Sequence, residues 1–294
     1  MSVKEGSYKS YSEVVISSII YGSIGVFLNN IQDMSNESIL FSISFFGLCM
    51  IFIYLLFHGG LGQLRFRKNR RYLILLGLLN TITGICYFSS IKYSGMSVAV
   101  LLLYTAPVYV NLLAPTILGE INSKKSLLPL LLAFTGVLLI ARPGEILMSV
   151  DTGSSFLKGL IFGLLAGLSF GITIIMIRYL RYDYTAITQT FWITVISLLI
   201  MLPPALFTPL PLFIENLNTL VIFGFTITFA AVIYLRGISG INAQTGSILA
   251  LLEPVSGIFF DITILKNPMY ISTLLGCCLI ITAAYIVSRR DWSK

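Results

Sequence analysis

The sequence predicts an all-α polytopic membrane protein: ten transmembrane helices in two inverted five-helix repeats. Three observations predict it. Of 294 residues, 56% are apolar and only 11% are charged, less than half of the roughly 25% typical of soluble domains, and the mean hydropathy is +0.92. Charges and turn residues divide the chain into ten apolar runs, most of them close to the roughly 20 residues that cross a bilayer. A stretch of the first half also recurs in the second. So few charges could not cover a soluble surface, which argues against soluble domains, disorder, a coiled coil and a disulfide scaffold. The runs are continuous rather than alternating, which argues against a β-barrel.

The runs fall near 14–30, 38–57, 72–91, 95–118, 126–141, 159–177, 184–207, 217–235, 241–265 and 270–288. The first follows a polar leader of 13 residues and precedes nine others, so it is expected to be retained rather than cleaved as a signal. The second ends beside His58, the only histidine, ahead of the basic cluster Arg65-Phe-Arg-Lys-Asn-Arg-Arg71, a topology determinant against anionic lipid. The fourth and ninth each carry a mid-span proline, Pro107 and Pro254. The sixth carries Gly159, Gly163, Gly167 and Gly171. Four-residue spacing makes them one flat stripe for close helix approach, within one subunit or across a dimer. Cys49, Cys86, Cys277 and Cys278 lie in apolar runs without metal spacing.

Lysine and arginine set the orientation. With the N-terminus in the cytoplasm, the cytoplasmic segments hold Lys4, Lys9, Arg65, Arg67, Lys68, Arg70, Arg71, Lys124, Lys125, Arg178, Arg181, Arg236, Arg289, Arg290 and Lys294, 15 of the 19 basic residues. Only Lys92, Arg142, Lys158 and Lys266 fall outside. Both termini are therefore expected in the cytoplasm. The net charge of +7 reads as this bias rather than as a nucleic-acid surface.

The repeat emerges on shifting the chain by 147 residues. Residues 87–142 then match 234–289 at 13 of 56 positions without gaps. Tyr87 meets Tyr234, Pro107 meets Pro254, Thr116-Ile117-Leu118 meets Thr263-Ile264-Leu265, and Arg142 meets Arg289. Apolar composition does not readily produce a matched mid-span proline and a matched terminal arginine. The expected units are 13–142 and 156–289. Five spans each, an odd number, force the second to be inverted, as in secondary transporters that alternate access around a central site.

Gly95-Met-Ser-Val-Ala-Val-Leu-Leu-Leu-Tyr-Thr-Ala-Pro107, followed by Leu118-Gly119-Glu120, resembles the fourth span of the EamA branch of the drug/metabolite transporter superfamily, and Leu252-Glu253-Pro254 resembles its ninth. The resemblance runs from about residue 13 to 289. It implies a plasma-membrane carrier of small metabolites, often exported, such as amino acids and their analogues. One departure is plain: Leu265-Lys266-Asn267 stands where the family often has Leu-Gly-Glu, with Asp261 the nearby acid that could substitute.

Glu253 is the one acid deep inside a run, with 12 residues of 241–265 on either side, about 18 Å from each end. A charge there is costly, so the carboxyl should face a cavity or a partner. It reads either as a site for a proton or a cationic solute, or as a hydrogen-bonded acid serving the backbone that Pro254 disrupts. Pro107 and Pro254 each remove a helical hydrogen bond, which makes them hinges or fixed kinks. Tyr21, Asn80, Tyr87, Tyr104, Tyr234 and Gln244 join Glu253 as the expected substrate-binding residues, with Asn29, Thr105, Asn111, Ser169, Thr173, Thr245 and Ser247 as further polar candidates. Interhelical hydrogen bonding is the competing use of these polar groups.

No second deep acid, mid-span histidine or zinc motif is present, so no catalytic residue, metal or cofactor is expected and an intramembrane enzyme is disfavoured. The sequence thus points to a secondary transporter for a small neutral, zwitterionic or cationic amino-acid-like solute, in the export direction. Its partners would be the bilayer, the solute and a coupling proton, and it would act as monomer or homodimer. The alternatives are a nucleotide-sugar or organic-anion antiporter, or a channel or scramblase. An anion carrier would want basic residues in its cavity, and no lysine or arginine lies deep in a run.

Overall fold

The computed structural model describes residues 8–120, 127–142 and 154–291. Among these residues there are helices and turns and no strand. Tyr8–Asn29, Asn36–Phe57, Arg70–Ser94, Met96–Leu118, Ser154–Tyr182, Ala186–Ala205, Leu217–Gly240, Ala243–Thr263 and Ile271–Arg289 are long and apolar enough to cross a membrane, and Leu127–Ala141 is a shorter apolar helix. They are spans one to ten in chain order, Leu127–Ala141 being span five. Lys4, Lys124, Lys125 and Lys294 lie outside the described residues.

Span one begins at Tyr8, ahead of its apolar run, because Ser10, Tyr11 and Glu13 of the polar leader are packed rather than solvated. Tyr11 and Val14 are buried, as is Glu13, whose carboxylate pairs with Arg236 of span eight at 2.7 Å. Spans two and seven start at hydroxyl caps, Ser35 accepting from the Ser38 amide and Thr185 from that of Thr188, which satisfies donors that the first turn leaves open.

The principal pairings are span three with six, four with six, three with seven, two with seven, two with eight, one with eight, one with nine, and five with ten. Exchanging each span n for n+5 maps this set onto itself, as a five-plus-five repeat requires. Span six is the central helix: 56% of its apolar window is buried, against 28–39% in the other long spans. Its glycines let it sit against the backbone of spans three and four. A Cβ on Gly163 would stand 2.8 Å from Ser90 Oγ, one on Gly171 3.0 Å from the Ala106 carbonyl oxygen, and one on Gly167 would collide with the Leu102 carbonyl and Thr105. Gly136 and Gly276 make the same kind of approach between spans five and ten. Exposed Phe52, Leu112, Leu199, Ile222 and Phe259 face outward, as lipid-facing side chains do.

Spans four and nine are interrupted at equivalent positions. Span four runs as Met96–Leu103 and Ala106–Leu118, and span nine as Ala243–Ala250 and Leu252–Thr263. Tyr104 and Leu251, related by the 147-residue shift, each stand three residues before a proline. The proline ring clashes with the carbonyl four residues back and supplies no N–H, so the turn tightens to three-residue hydrogen bonds: Thr105 to Leu102 at 3.1 Å and Leu251 to Ile248 at 3.1 Å. Span one also breaks, at Ser23 between Tyr8–Gly22 and Ile24–Asn29.

Candidate functional site

Glu253 is the eleventh of the 21 residues of span nine, just past the break, and half-buried within the bundle. Tyr104, at the break of span four, lies beside its carboxyl. Tyr21 of span one, Tyr87 of span three and Tyr234 of span eight lie within electrostatic range of the same carboxyl. Tyr21 and Tyr234 meet edge to face, ring centroids 6.2 Å apart. The Tyr87 hydroxyl reaches Met96 Sδ at 3.6 Å, and the buried Tyr234 hydroxyl has no hydrogen-bond partner among the described residues. Four expected site residues from four spans therefore converge on the one acid at mid-depth.

The remaining candidates lie elsewhere. Asn80 is seven residues before Tyr87 on span three, about 10 Å along the same helix face. Gln244 is buried in the first turn of span nine, about 13 Å from Glu253. Ser169 ties span six to the Leu79 carbonyl at 2.8 Å, Asn111 donates to the Pro107 carbonyl at 3.0 Å, and Ser247 donates to the Gln244 carbonyl at 2.9 Å. Thr105 likewise binds the Leu102 carbonyl at 2.6 Å. Ser169 makes an interhelical bond, whereas Asn111, Ser247 and Thr105 bond carbonyls of their own span.

Beyond Glu253, at the end opposite the start of the chain, opens a pocket of about 460 Å³ lined by Ser97, Arg142, Ile258, Asp261, Asn267 and Tyr270, among others. Asp261 is eight residues, about 12 Å, past Glu253. Arg142 stacks on the Tyr270 ring, 3.6 Å from its centroid.

Residues 10–142 and 157–289 each match the EamA-like transporter family. The chain belongs to that family. Its relatives include an uncharacterized transporter of Archaeoglobus fulgidus, 26% identical over 280 residues covering 94% of this chain and 95% of the relative. A probable transport protein of Saccharomyces cerevisiae is 25% identical over 244 residues, 76% and 69% of the two chains. An uncharacterized transporter of Bacillus subtilis, YyaM, is 26% identical over 257 residues, 83% and 82%. A solved crystal structure shares the fold with a TM-score of 0.80 over 97% of this chain and 98% of its own, at 15% identity. This EamA-family chain is thus a multi-pass membrane transporter, and its relatives point to transport rather than to enzyme chemistry.

One cluster in this EamA-family fold escapes sequence reasoning. Arg178, counted among the loop charges by sequence, lies in the last helical turn before Tyr179 and is 2% exposed. Its Nε donates to Glu120 Oε1. Its other nitrogens approach the Ser239 carbonyl and Asn242 Oδ1, both at 3.3 Å. The other Glu120 oxygen accepts from the Ala243 amide at 3.0 Å, at the N-terminus of span nine where a negative charge is favoured. The signals in the sequence were the Leu118-Gly119-Glu120 motif and the run Ile174-Ile175-Met176-Ile177 leading straight into Arg178.

Proposed function

We propose that the chain is a secondary carrier that moves a small neutral, zwitterionic or cationic amino-acid-like solute outward across the plasma membrane by alternating access, with Glu253 as its central acidic group. The convergence of four tyrosines on Glu253, beside the symmetric breaks of spans four and nine, carries this reading. A mid-membrane carboxyl needs a partner or a cavity. A tyrosine hydroxyl is a donor suited to such a carboxyl, and a tyrosine ring face attracts a cation. Tyr21, Tyr87, Tyr104, Tyr234 and Glu253 form the binding centre. Asn80 lines the approach along span three, and Gln244 the approach along span nine. Pro107 and Pro254 act as hinges, since interrupted helices are where carriers build their sites. A proton on Glu253 takes the solute's place on the return step.

The basic residues do not favour an organic anion. The Arg178 guanidinium is engaged by Glu120, and Arg142 shares its pocket with Asp261.

The test is thermal stabilisation of the purified protein by a panel of amino acids, amines and nucleotide sugars. A solute at 100 times its dissociation constant adds about 2.7 kcal/mol. Stabilisation by an amino acid or amine that is lost in Glu253→Gln supports the reading. Stabilisation confined to nucleotide sugars, or by no member of the panel, overturns it.

A further inference from the structure

We infer that the Glu120–Arg178 ion pair is the lock that holds the bundle shut at the end where the chain begins, and that the opposite end has no lock at the equivalent place. The inference rests on the alternating-access reading and adds to it which residues must separate.

The pair joins three spans. Glu120 follows span four, Arg178 ends span six, and the Asn242 side chain and Ala243 amide open span nine. Glu120 belongs to the first repeat and its partners to the second. Glu13–Arg236 also crosses from the first repeat to the second at the same end, although Arg236 is more than half exposed. Relative motion of the repeats that opens this end has to part both pairs.

The chemistry makes the contact two-state. Arg178 is almost wholly enclosed, with a side-chain exposure of 1%, and Glu120 has one of 10%. Two buried charges are tolerable when paired, and also when both are hydrated. A half-parted, dry pair is worse than either. The lock therefore favours a shut end or a fully wetted one, the discrete behaviour a gate requires.

The repeat explains the asymmetry. The 147-residue shift carries Glu120 to Asn267 and Gln244 to Ser97, and it carries Arg178 to Ile31. Asn267 and Ser97 both line the pocket of about 460 Å³ at the far end. Where the counterpart of the lock would stand, the Asn267 amide replaces the carboxylate and the aliphatic Ile31 replaces the arginine, and a pocket opens beside Asn267. The structure is thus shut at one end by charge and open at the other. The replacement of Leu-Gly-Glu by Leu265-Lys266-Asn267 acquires a mechanical meaning: it biases the resting carrier toward the state open away from its termini.

The experiment uses cysteine reporters in the full chain, with Cys49, Cys86, Cys277 and Cys278 changed to alanine. Ser247→Cys reports from one turn below Ala243, at a site 1% exposed, and Ser97→Cys reports from the far pocket. A charged, membrane-impermeant methanethiosulfonate is the probe, applied to protein in nanodiscs. Introducing Glu120→Gln is expected to speed labelling at 247 by roughly fivefold or more, the lower end of coupling across a two-state element, and to slow labelling at 97. Unchanged labelling at 247 overturns the proposal, and so does a rise at both reporters, which means general loosening. If Glu120→Gln does not yield folded protein, Arg236→Gln on the more exposed pair must shift the reporters in the same directions to a smaller extent, and no shift there overturns it equally. Neither reporter needs a solute. Opposite shifts without any solute stabilisation leave the lock standing and the carrier reading failed, and solute stabilisation with static reporters does the reverse.

Discussion

Tyr104 and Glu253 stand beside each other at the interrupted stretches of spans four and nine. The interruptions are repeated, but the pair is not. The shift that superposes Pro107 on Pro254 sets Tyr104 against Leu251 and Glu253 against Ala106. Duplication thus supplied a symmetric scaffold, two breaks at matched depth, and divergence put a phenol on one and a carboxyl on the other. A hydroxyl and an acid are complementary where two acids would repel, so the chemistry is single-copy on a doubled frame.

The glycine stripe of span six brings its backbone against the break of span four, at Leu102, Thr105 and Ala106. Gly167→Ala should cost about 1–3 kcal/mol, the usual penalty for overpacking a tight contact, because the added methyl meets a backbone carbonyl that cannot yield. Gly25→Ala is the control, since nothing lies within 4 Å of the new Cβ. It should be neutral or stabilising by up to about 1 kcal/mol through helix propensity. Unfolding of both variants in detergent measures the difference, and equal stability would dissolve the packing role.

Both termini should be accessible from the cytoplasmic face alone. Ten passes return the chain to the end where it began, and that end carries the cluster from Arg65 to Arg71, where basic residues favour retention inside. Epitope tags at the two ends, probed in intact and permeabilised cells, test this. A tag stained from outside in intact cells would reverse the orientation.

The helices, their number and the repeat were legible in the sequence because each rests on a local or periodic signal: apolar run length, proline position and four-residue glycine spacing. The four tyrosines around Glu253 were legible as polar residues inside apolar runs, since each such residue must find a partner. The lock was not. Glu120 and Arg178 are 58 residues apart, and each sits where a span meets a loop, so each reads as a solvated terminal charge. Their pairing depends on how spans four, six and nine converge, which no window of sequence contains. Glu13 was hidden for the same reason: its polarity reads as leader until Arg236 is seen beside it.

Nucleotide sugars and sugar phosphates should not be transported. A diphosphate asks for paired guanidinium or ammonium groups in the cavity, whereas the acid at mid-depth repels it. Saturable uptake of a nucleotide sugar into proteoliposomes would refute this. Uptake abolished by Arg142→Gln would identify the pocket beside Asp261 as the reason.

Glu253→Gln separates the uses of the central acid. Glutamine keeps the shape and the hydrogen-bonding capacity and removes the titratable proton, so folding should change little, which a melting curve in detergent verifies. If Glu253 carries the coupling proton, gradient-driven transport should fall about tenfold or more, while solute exchange without net proton movement persists. If it contacts a cationic solute directly, affinity falls in both assays. Tyr104→Phe sharpens the distinction. It deletes a hydroxyl partner worth about 1 kcal/mol and leaves the carboxyl, so it should weaken solute binding several-fold while gradient-driven transport keeps its dependence on pH. In Glu253→Gln that dependence should flatten. Unchanged gradient-driven transport with an unchanged pH profile in Glu253→Gln would assign the residue to the broken backbone beside Pro254, and proton coupling would have to be sought elsewhere in the chain.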